Sequence, residues 1–382
     1  MSVTQHQFRD RCAIAGLGIT TQGKLPHLSV RQIANWAITL AIDDAGIKRS
    51  DIDGFLYYPE NYPAIADCHY YGLTPKVHLG METGGATANV MVMTACNLIT
   101  SGLASTVLCF DGGRTKSDQH RTGSTRYGIG QMWGLYSAIA SVALNSRRHM
   151  HLYGTTAEQM GAVALTQRAY ANLRPDAVDH GKTLTMAEYL ASPMIADPLR
   201  RYDCTRDADG AVALIVTSAE RAKQLKRKPV HIMGAGVGHS IRHWHDKTLY
   251  DALDIQVARD TALKTAGIGI RDIDTAQFYD GFSILVIMQL ESYGFCKPGE
   301  GGAFVADGQT KLTGKIPTNT GGGQLSGYYR QGFTPLAEAA RQLRGESGKT
   351  QVKDAEIALV SGHGGNAGVQ NTWAHSTLIL RK

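Results

Sequence analysis

A duplicated α/β fold is predicted for this 382-residue chain by two sets of segments that occur twice. Ala45-Gly46-Ile47, followed by Asp51-Ile52-Asp53, returns at the same internal spacing as Ala266-Gly267-Ile268 and Asp272-Ile273-Asp274. Thr83-Gly84-Gly85 opens an apolar run ending in Val107-Leu108-Cys109-Phe110-Asp111-Gly112-Gly113. Thr320-Gly321-Gly322 opens another, ending in Leu359-Val360-Ser361-Gly362-His363-Gly364-Gly365. Helix, strand, glycine turn, helix and strand, twice over, predict two similar α/β layers packed together.

The elements follow in order. Residues 12–18 read as a buried strand and 29–45 as a helix with Ser29 as its cap, apolar at Ile33, Ala37, Leu40 and Ala41. A strand is expected at 54–58 and a buried helix at 86–100. The segment 114–198 turns polar and aromatic, with Arg114, Lys116, Arg121 and Arg126 against only Asp118 nearby, and reads as an inserted loop region covering a cleft. Strand character returns at Val212 to Val216 and closes a first half, 1–222. The Lys-rich stretch 221–228 reads as the linker to a second half, 223–382. That half begins with strand His231-Ile232-Met233, continues through a helix marked by Val257, Thr261, Leu263 and Ala266, and reaches a strand at 276–279.

Composition narrows the function. Charged residues make up 19% and hydrophobic ones 43%, and no apolar run reaches the ~18–20 residues that span a bilayer. The start, MSVTQHQFRDR, has no apolar core of a signal peptide. Six scattered cysteines without a CxxC pair suggest neither zinc nor a disulfide framework, so a cytoplasmic setting is expected. A net charge of +6 without a polybasic tail argues against nucleic acid, while a polyanionic small molecule such as coenzyme A fits.

The doubled pattern, Asp207-Ala208-Asp209-Gly210 before an apolar strand, Tyr279-Asp280-Gly281-Phe282, Asn319-Thr320-Gly321-Gly322-Gly323-Gln324-Leu325-Ser326-Gly327 and the C-terminal glycine turn resemble the thiolase superfamily. The likeness is to its sterol-carrier-protein-thiolase-like branch and covers nearly the whole chain. It implies the thiolase fold, with two halves stacked as five α-β-α-β-α layers. It also implies a homodimer, for which 105–110 is the expected pairing strand, and a site where two central helices start, near Gly85 and Gly322.

The chain departs from thiolases where their chemistry is done. The nucleophilic cysteine's position is matched by Gly85, and the nearest cysteine in sequence, Cys96, lies roughly 16 Å along a helix. Tyr329 matches the family's histidine, Tyr279 its Asn or His, and Ser361 its C-terminal cysteine. This pattern resembles the thiolase-like aldolases that remove side chains from steroid acyl-CoAs. The resemblance implies a retro-aldol on a 3-hydroxyacyl-CoA, with Tyr279 and Tyr329 as base and proton donor in an undetermined order. Asp280 and His363 join them as candidates. Asn319, Gly322, Gly323, Gly85 and Ser361 are candidates for holding substrate or its oxyanion. No covalently bound cofactor and no metal are expected, and the coenzyme A thioester is the substrate.

Plainer readings stand beside these. A lone tyrosine after a strand is ordinarily a core or rim residue, the glycines permit close packing, and Asp280 orients its turn rather than titrating. His243-Trp244-His245-Asp246 lacks a third ligand for a metal and reads as a surface loop. His149 and His151 beside Arg147 and Arg148 read as a solvated or cleft-facing basic patch. The rival functions are an acyltransferase with a displaced cysteine and a non-catalytic acyl-CoA-binding scaffold. By resemblance, a small zinc-ribbon/OB-fold partner that binds the CoA ester is expected in a hetero-oligomer.

Overall fold

The computed structural model describes residues 9–59, 65–118, 132, 134, 138–241, 253–366 and 372–382. The first part runs β1 (Cys12–Ile19), α1 (Val30–Ala45), β2 (Gly54–Tyr57), β3 (Val77–Gly80), α2 (Thr87–Thr100) and β4 (Thr106–Arg114). Next come α3 (Thr115–Asp118), α4 (Ala138–Tyr153), α5 (Ala157–Asn172), α6 (Met186–Ala191) and the small pair β5 (Met194–Ala196) and β6 (Leu199–Arg200). Then follow β7 (Asp209–Ser218), α7 (Ala219–Ala222), β8 (Val230–Ile241), α8 (Leu253–Ala266), β9 (Thr275–Gln277), α9 (Ser283–Tyr293) and α10 (Gly301–Ala306). The chain ends with α11 (Phe333–Arg344), β10 (Ile357–Asn366) and β11 (Thr372–Arg381).

The repeated sequence segments do the same physical work in both places. Gly46 and Gly267 stop α1 and α8 in the left-handed region, at φ 71° and 65°. Asp53 then accepts the backbone N–H groups of Ser105 and Thr106, and Asp274 accepts those of Glu356 and Ile357. Each carboxylate, just before β2 or β9, pins the start of the parallel neighbour, β4 or β10. A Cβ at Gly16 or Gly18 would strike the carbonyls of Ala41 or Ala37, and one at Gly234 or Gly236 those of Ala262 or Ala258. Both outer helices therefore lie directly on strand backbone.

Strand order is β3-β2-β4-β7-β1-β8-β11-β10-β9. The run β2-β4-β7-β1 matches β9-β10-β11-β8, each with one parallel pair followed by antiparallel ones. The two halves of the sheet are not separate, because β1 and β8 meet through Ala13↔His231 and Ile14↔Val230. Alternation along the strands gives each half two faces. Ile14, Leu214, Val360 and Leu378 pack on Met91 and Val92 of α2 and Leu336 and Ala340 of α11 in one shared core. Phe55 and Leu108 face α1 on one outer side, and Leu359 and Ile379 face α8 on the other. Five layers result, as expected, with α2 and α11 in the middle.

Three expectations are corrected. The stretch 105–110 falls in β4, which is paired on both sides by β2 and β7, so it is no edge; the edge on that side is β3, a four-residue strand too short to show periodicity. The second central helix does not begin near Gly322. There the chain forms a wide π-type turn, Gly323–Gly327, and α11 begins at Phe333. The described residues of the insertion lie mostly in helices rather than loops: Thr156 and Gln159 cap α5 reciprocally, which fixes a helix start within it. Arg121, Arg126 and His243 to Asp246 lie outside the described residues. No described helix is long and apolar enough to cross a membrane.

Candidate active site

Both central helices start from turns of one design. Thr87 Oγ1 accepts the N–H of Thr83 at 2.8 Å and donates to the carbonyl of Gly84 at 2.6 Å. Thr334 Oγ1 accepts the N–H of Arg330 at 2.9 Å and donates to the carbonyl of Tyr328 at 3.1 Å. Gly85 and Gly332 therefore hold equivalent places, and a Cβ at Gly332 would press on the Gly85 carbonyl. The site forms where these turns touch.

Tyr279 enters it from the end of β9. Its N–H donates to Ser361 Oγ at 2.9 Å and its carbonyl accepts Gln289 Nε2 at 2.8 Å, while the Ser361 hydroxyl donates to Gln289 Oε1. Ser361, fully buried, thus grips the backbone of Tyr279, with its own proton given to Gln289. The Tyr279 ring covers Gly85 so closely that any Cβ there would overlap it and the carbonyl of His363. The hydroxyl of Tyr279 lies 3.3 Å from that of Tyr329 and 3.2 Å from Gln331 Oε1. Two phenols and one amide converge on the place where a nucleophile's side chain would stand.

Tyr329 and Gln331 are delivered by the segment after the π-type turn. Gly322 and Gly323 carry positive φ, 91° and 57°, and a Cβ on Gly323 would strike the Asp280 carboxylate. Asp280 accepts the N–H of Gln324 at 2.9 Å and of Leu325 at 3.3 Å, so it holds the turn's first donors. Full burial raises its pKa to about 7, against the pull of those N–H groups. Asn319 joins β9 to the turn, its Oδ1 accepting the N–H of Phe278 at 2.6 Å. Arg330, 2% exposed, donates to the carbonyls of Ala208, Gly210 and Tyr329, which ties the second-half turn to the Asp-Gly strand of the first half. Gln331 sits at φ 46°, a left-handed conformation costly for a side chain other than glycine. Gln324 Nε2 holds its carbonyl at 2.6 Å.

Other candidates are placed differently. His363 presents its carbonyl to Gly85, while its Nδ1 lies 3.0 Å from His375 Nδ1. His375 continues to the Tyr293 hydroxyl at 2.8 Å, and burial pushes its pKa well down. His149 is fully buried between Thr155 and Glu291, at 2.7 and 3.0 Å, so it ties α4 to α9 and belongs to no basic surface patch. Cys96 is buried in α2, and burial holds its thiol well above the usual range. Among the described residues no group of three or more His, Cys, Asp or Glu is arranged to hold a metal. Gln331, Arg330 and Gln289 had no signal in the sequence reading, though Thr334, whose hydroxyl accepts the N–H of Arg330, fixes the turn that carries the first two.

Residues 236–382 match the thiolase C-terminal domain-like family. The chain is 32% identical to the steroid side-chain-cleaving aldolase of Thermomonospora curvata, over 92% of this chain and 95% of the relative. It is 33% identical to the 17-hydroxy-3-oxo-4-pregnene-20-carboxyl-CoA lyase of Mycobacterium tuberculosis, over 93% and 97%. An acetyl-CoA acetyltransferase of Methanothermobacter thermautotrophicus is 31% identical over 93% and 97%, so overall identity alone does not separate lyase from transferase. The solved Ltp2-ChsH2(DUF35) aldolase superposes with a TM-score of 0.88 at 32% identity, covering 98% of each chain. With a phenol filling the space beside Gly85, the chain belongs to the thiolase superfamily, in the branch of the thiolase-like acyl-CoA aldolases and lyases.

Proposed function

We propose that this protein is a carbon–carbon lyase that cleaves a 3-hydroxyacyl-CoA with a bulky, steroid-type acyl part by a retro-aldol step. One phenol of the Tyr279/Tyr329 pair, as phenolate, takes the proton of the β-hydroxyl. The Cα–Cβ bond breaks, its electron pair entering the thioester enolate, and Cβ becomes the carbonyl carbon of a ketone or aldehyde. The other phenol protonates Cα and releases a short acyl-CoA. A proton passing between hydroxyls 3.3 Å apart then restores the starting state. Asp280, Asn319, Gly322, Gly323 and Ser361 hold the two rings in place, and His363 contributes its backbone beside Gly85.

The observation that carries this reading is the Tyr279 ring over Gly85, which leaves no room for a nucleophile where an acyltransferase needs one. Incubation with a 3-hydroxyacyl-CoA steroid is expected to give ketone or aldehyde and short acyl-CoA in equal amounts, with no acyl adduct on the intact protein by mass spectrometry. A stable adduct on Cys96 with no carbonyl product would support the displaced-cysteine acyltransferase. Neither product nor adduct would support the scaffold.

The proposal extends to assembly. The solved relative bears the names of two components, Ltp2 and ChsH2(DUF35), and by that likeness a small zinc-ribbon/OB-fold protein is the expected partner. The side of β3 without a partner strand among the described residues is the natural seam for a homodimer. The expected setting is the cytoplasm.

A further inference from the structure

A line of polar groups runs behind the site, on the face of β10 and β11 that α9 covers. His363 and His375 are direct cross-strand partners, as are Ser361 and Thr377 two residues along, so all four side chains stand on one face of the sheet. Gln289 and Tyr293, one turn apart on α9, reach down onto them. Gln289 holds Ser361 and the Tyr279 carbonyl. The Tyr293 hydroxyl lies 2.6 Å from Thr377 Oγ1 and 2.8 Å from His375 Nε2, and His375 Nδ1 lies 3.0 Å from His363 Nδ1. Exposure falls from 9% at His363 to 1% at Tyr293 and 0% at His375 and Thr377, so the chain enters the core and ends there.

Proton positions decide what such a chain does. Both ring nitrogens of His375 face polar atoms, and a ring turned over would set carbons against them. Burial and the facing His363 keep that ring uncharged, so it carries one proton. The hydrogen bonds can run in either of two directions. If Thr377 donates to Tyr293, then Tyr293 donates to His375 Nε2, His375 donates from Nδ1 to His363 Nδ1, and neutral His363 has its proton on Nε2. In the other direction His363 donates from Nδ1, His375 donates from Nε2 to Tyr293, and Tyr293 donates to Thr377, whose own hydroxyl hydrogen then lacks an acceptor among the described residues. A buried donor without an acceptor is costly, so the first direction wins.

We propose that His375 and Tyr293 are positioning residues of the site at Tyr279 and Gly85: with Thr377 they form a directed hydrogen-bond chain that fixes His363 with its proton on Nε2 and holds the end of β10 in place. The inference rests on the lyase reading for what the site does, and on the hydrogen bonds alone for the chain. The end of β10 is gripped on both faces. His363 joins the chain on one, while a Cβ on Gly362 or Gly364 would strike the backbone of Gly85 on the other. A shift of β10 therefore moves the turn that the Tyr279 ring covers. Ser361, on the same strand, carries that shift to the Tyr279 N–H as well. Tyr293 and His375 act through β10 and touch neither phenol.

The test uses Tyr293→Phe and two variants of His375 in the full chain. Tyr293→Phe keeps the ring stacked on Phe278, 5.5 Å between centroids, and removes only the hydroxyl. NMR of protein isotopically labelled on its histidine ring nitrogens, at about pH 8 where an ordinary imidazole is neutral, reads the tautomers. His363→Gln and His375→Gln assign the signals. In the unaltered protein His363 is expected to carry its proton on Nε2 and His375 on Nδ1. In Tyr293→Phe the direction is no longer imposed, and both rings show mixed tautomers. The same variant is expected to exchange the amide hydrogens of the 83–87 turn several-fold faster, and to lower kcat about ten-fold with KM unchanged, since the lost hydrogen bond acts through position. His375→Asn, whose amide N–H stands in for Nδ1–H, keeps more of kcat than His375→Leu. Where His375→Leu fails to fold, Tyr293→Phe decides alone. A His363 proton on Nδ1 in the unaltered protein, unchanged tautomers in Tyr293→Phe, or unchanged kcat and exchange in that variant would overturn the proposal. So would equal kcat in the Asn and Leu variants. Mixed tautomers and faster exchange at 83–87 in Tyr293→Phe, in a protein whose unaltered form shows no lyase turnover, would keep the positioning chain and reject the lyase reading instead.

Discussion

The turns at 83–87 and 330–334 share a threonine whose hydroxyl accepts the N–H four residues back, a glycine two residues before that threonine and a place in the same central layer, yet they are equipped in opposite ways. The first is stripped: Gly84 and Gly85 offer backbone and space. The second is crowded, with Tyr329, Arg330 and Gln331 in successive positions and a strained backbone at Gln331. The difference shows how a duplicated frame acquires one asymmetric site. The first turn's missing side chain is the room that Tyr279 needs, and the second turn supplies the hydroxyl and amide that face it. A nucleophile at Gly85 and a phenol at Tyr279 exclude each other sterically.

Filling either glycine breaks the comparison most forcefully. Gly85→Ala and Gly332→Ala are each expected to lower stability by about 1–3 kcal/mol, since the first pushes on the Tyr279 ring and the His363 carbonyl and the second forces the two turns apart. Thermal or denaturant unfolding reads this. Only Gly85→Ala also displaces the Tyr279 ring, and a shift of about 1 Å in a reacting group costs on the order of 10²-fold in kcat. Similar activity in both alanine variants would mean that the ring over Gly85 is incidental.

The strained residue separates fold from chemistry. Gln331→Gly relieves the positive φ while losing side-chain restraint in the unfolded chain, so stability should change by less than about 1 kcal/mol. The acceptor for the Tyr279 hydroxyl is gone, and kcat is expected to fall about ten-fold with KM little changed. Unchanged kcat would reduce Gln331 to a bystander.

How much of this was legible depends on how local each signal is. The repeat at Ala45-Gly46 and Ala266-Gly267 was readable because a C-terminal glycine and a strand-pinning aspartate act within a few residues of themselves. Tyr279 and Tyr329 were identified by motif, and the structure brings their hydroxyls together. Gly322 was mistaken for the partner of Gly85 because Thr-Gly-Gly occurs before both. The true equivalence lies in the N–H bonds that Thr87 and Thr334 accept from four residues back, and Gly322 instead serves a turn shaped by Asp280. His149 looked solvated because arginines flank it, but helix α4 turns it inward onto Glu291. Gln331 left no trace, since a left-handed glutamine is imposed by tertiary contacts and carries no local pattern.

The smallest expected effect concerns the two turn threonines themselves. Thr87→Val and Thr334→Val should each cost about 1 kcal/mol, the loss of the hydrogen bond accepted from the backbone four residues back, similar in size because that bond is common to both turns. A several-fold disparity in unfolding free energy would show that the halves are not equivalent in energy even where they match in geometry.

The central claim is that Tyr279 and Tyr329 act as one unit, and a double-mutant cycle in kcat tests it most directly. Tyr279→Phe and Tyr329→Phe are each expected to lower kcat by about 10²-fold or more while leaving acyl-CoA binding largely intact, with Cys96→Ser as a control that does little beyond its packing cost. If the phenols share one proton-transfer task, the double variant is only slightly slower than the slower single one. Multiplied losses in the double variant, or full activity in either single one, would contradict the paired mechanism.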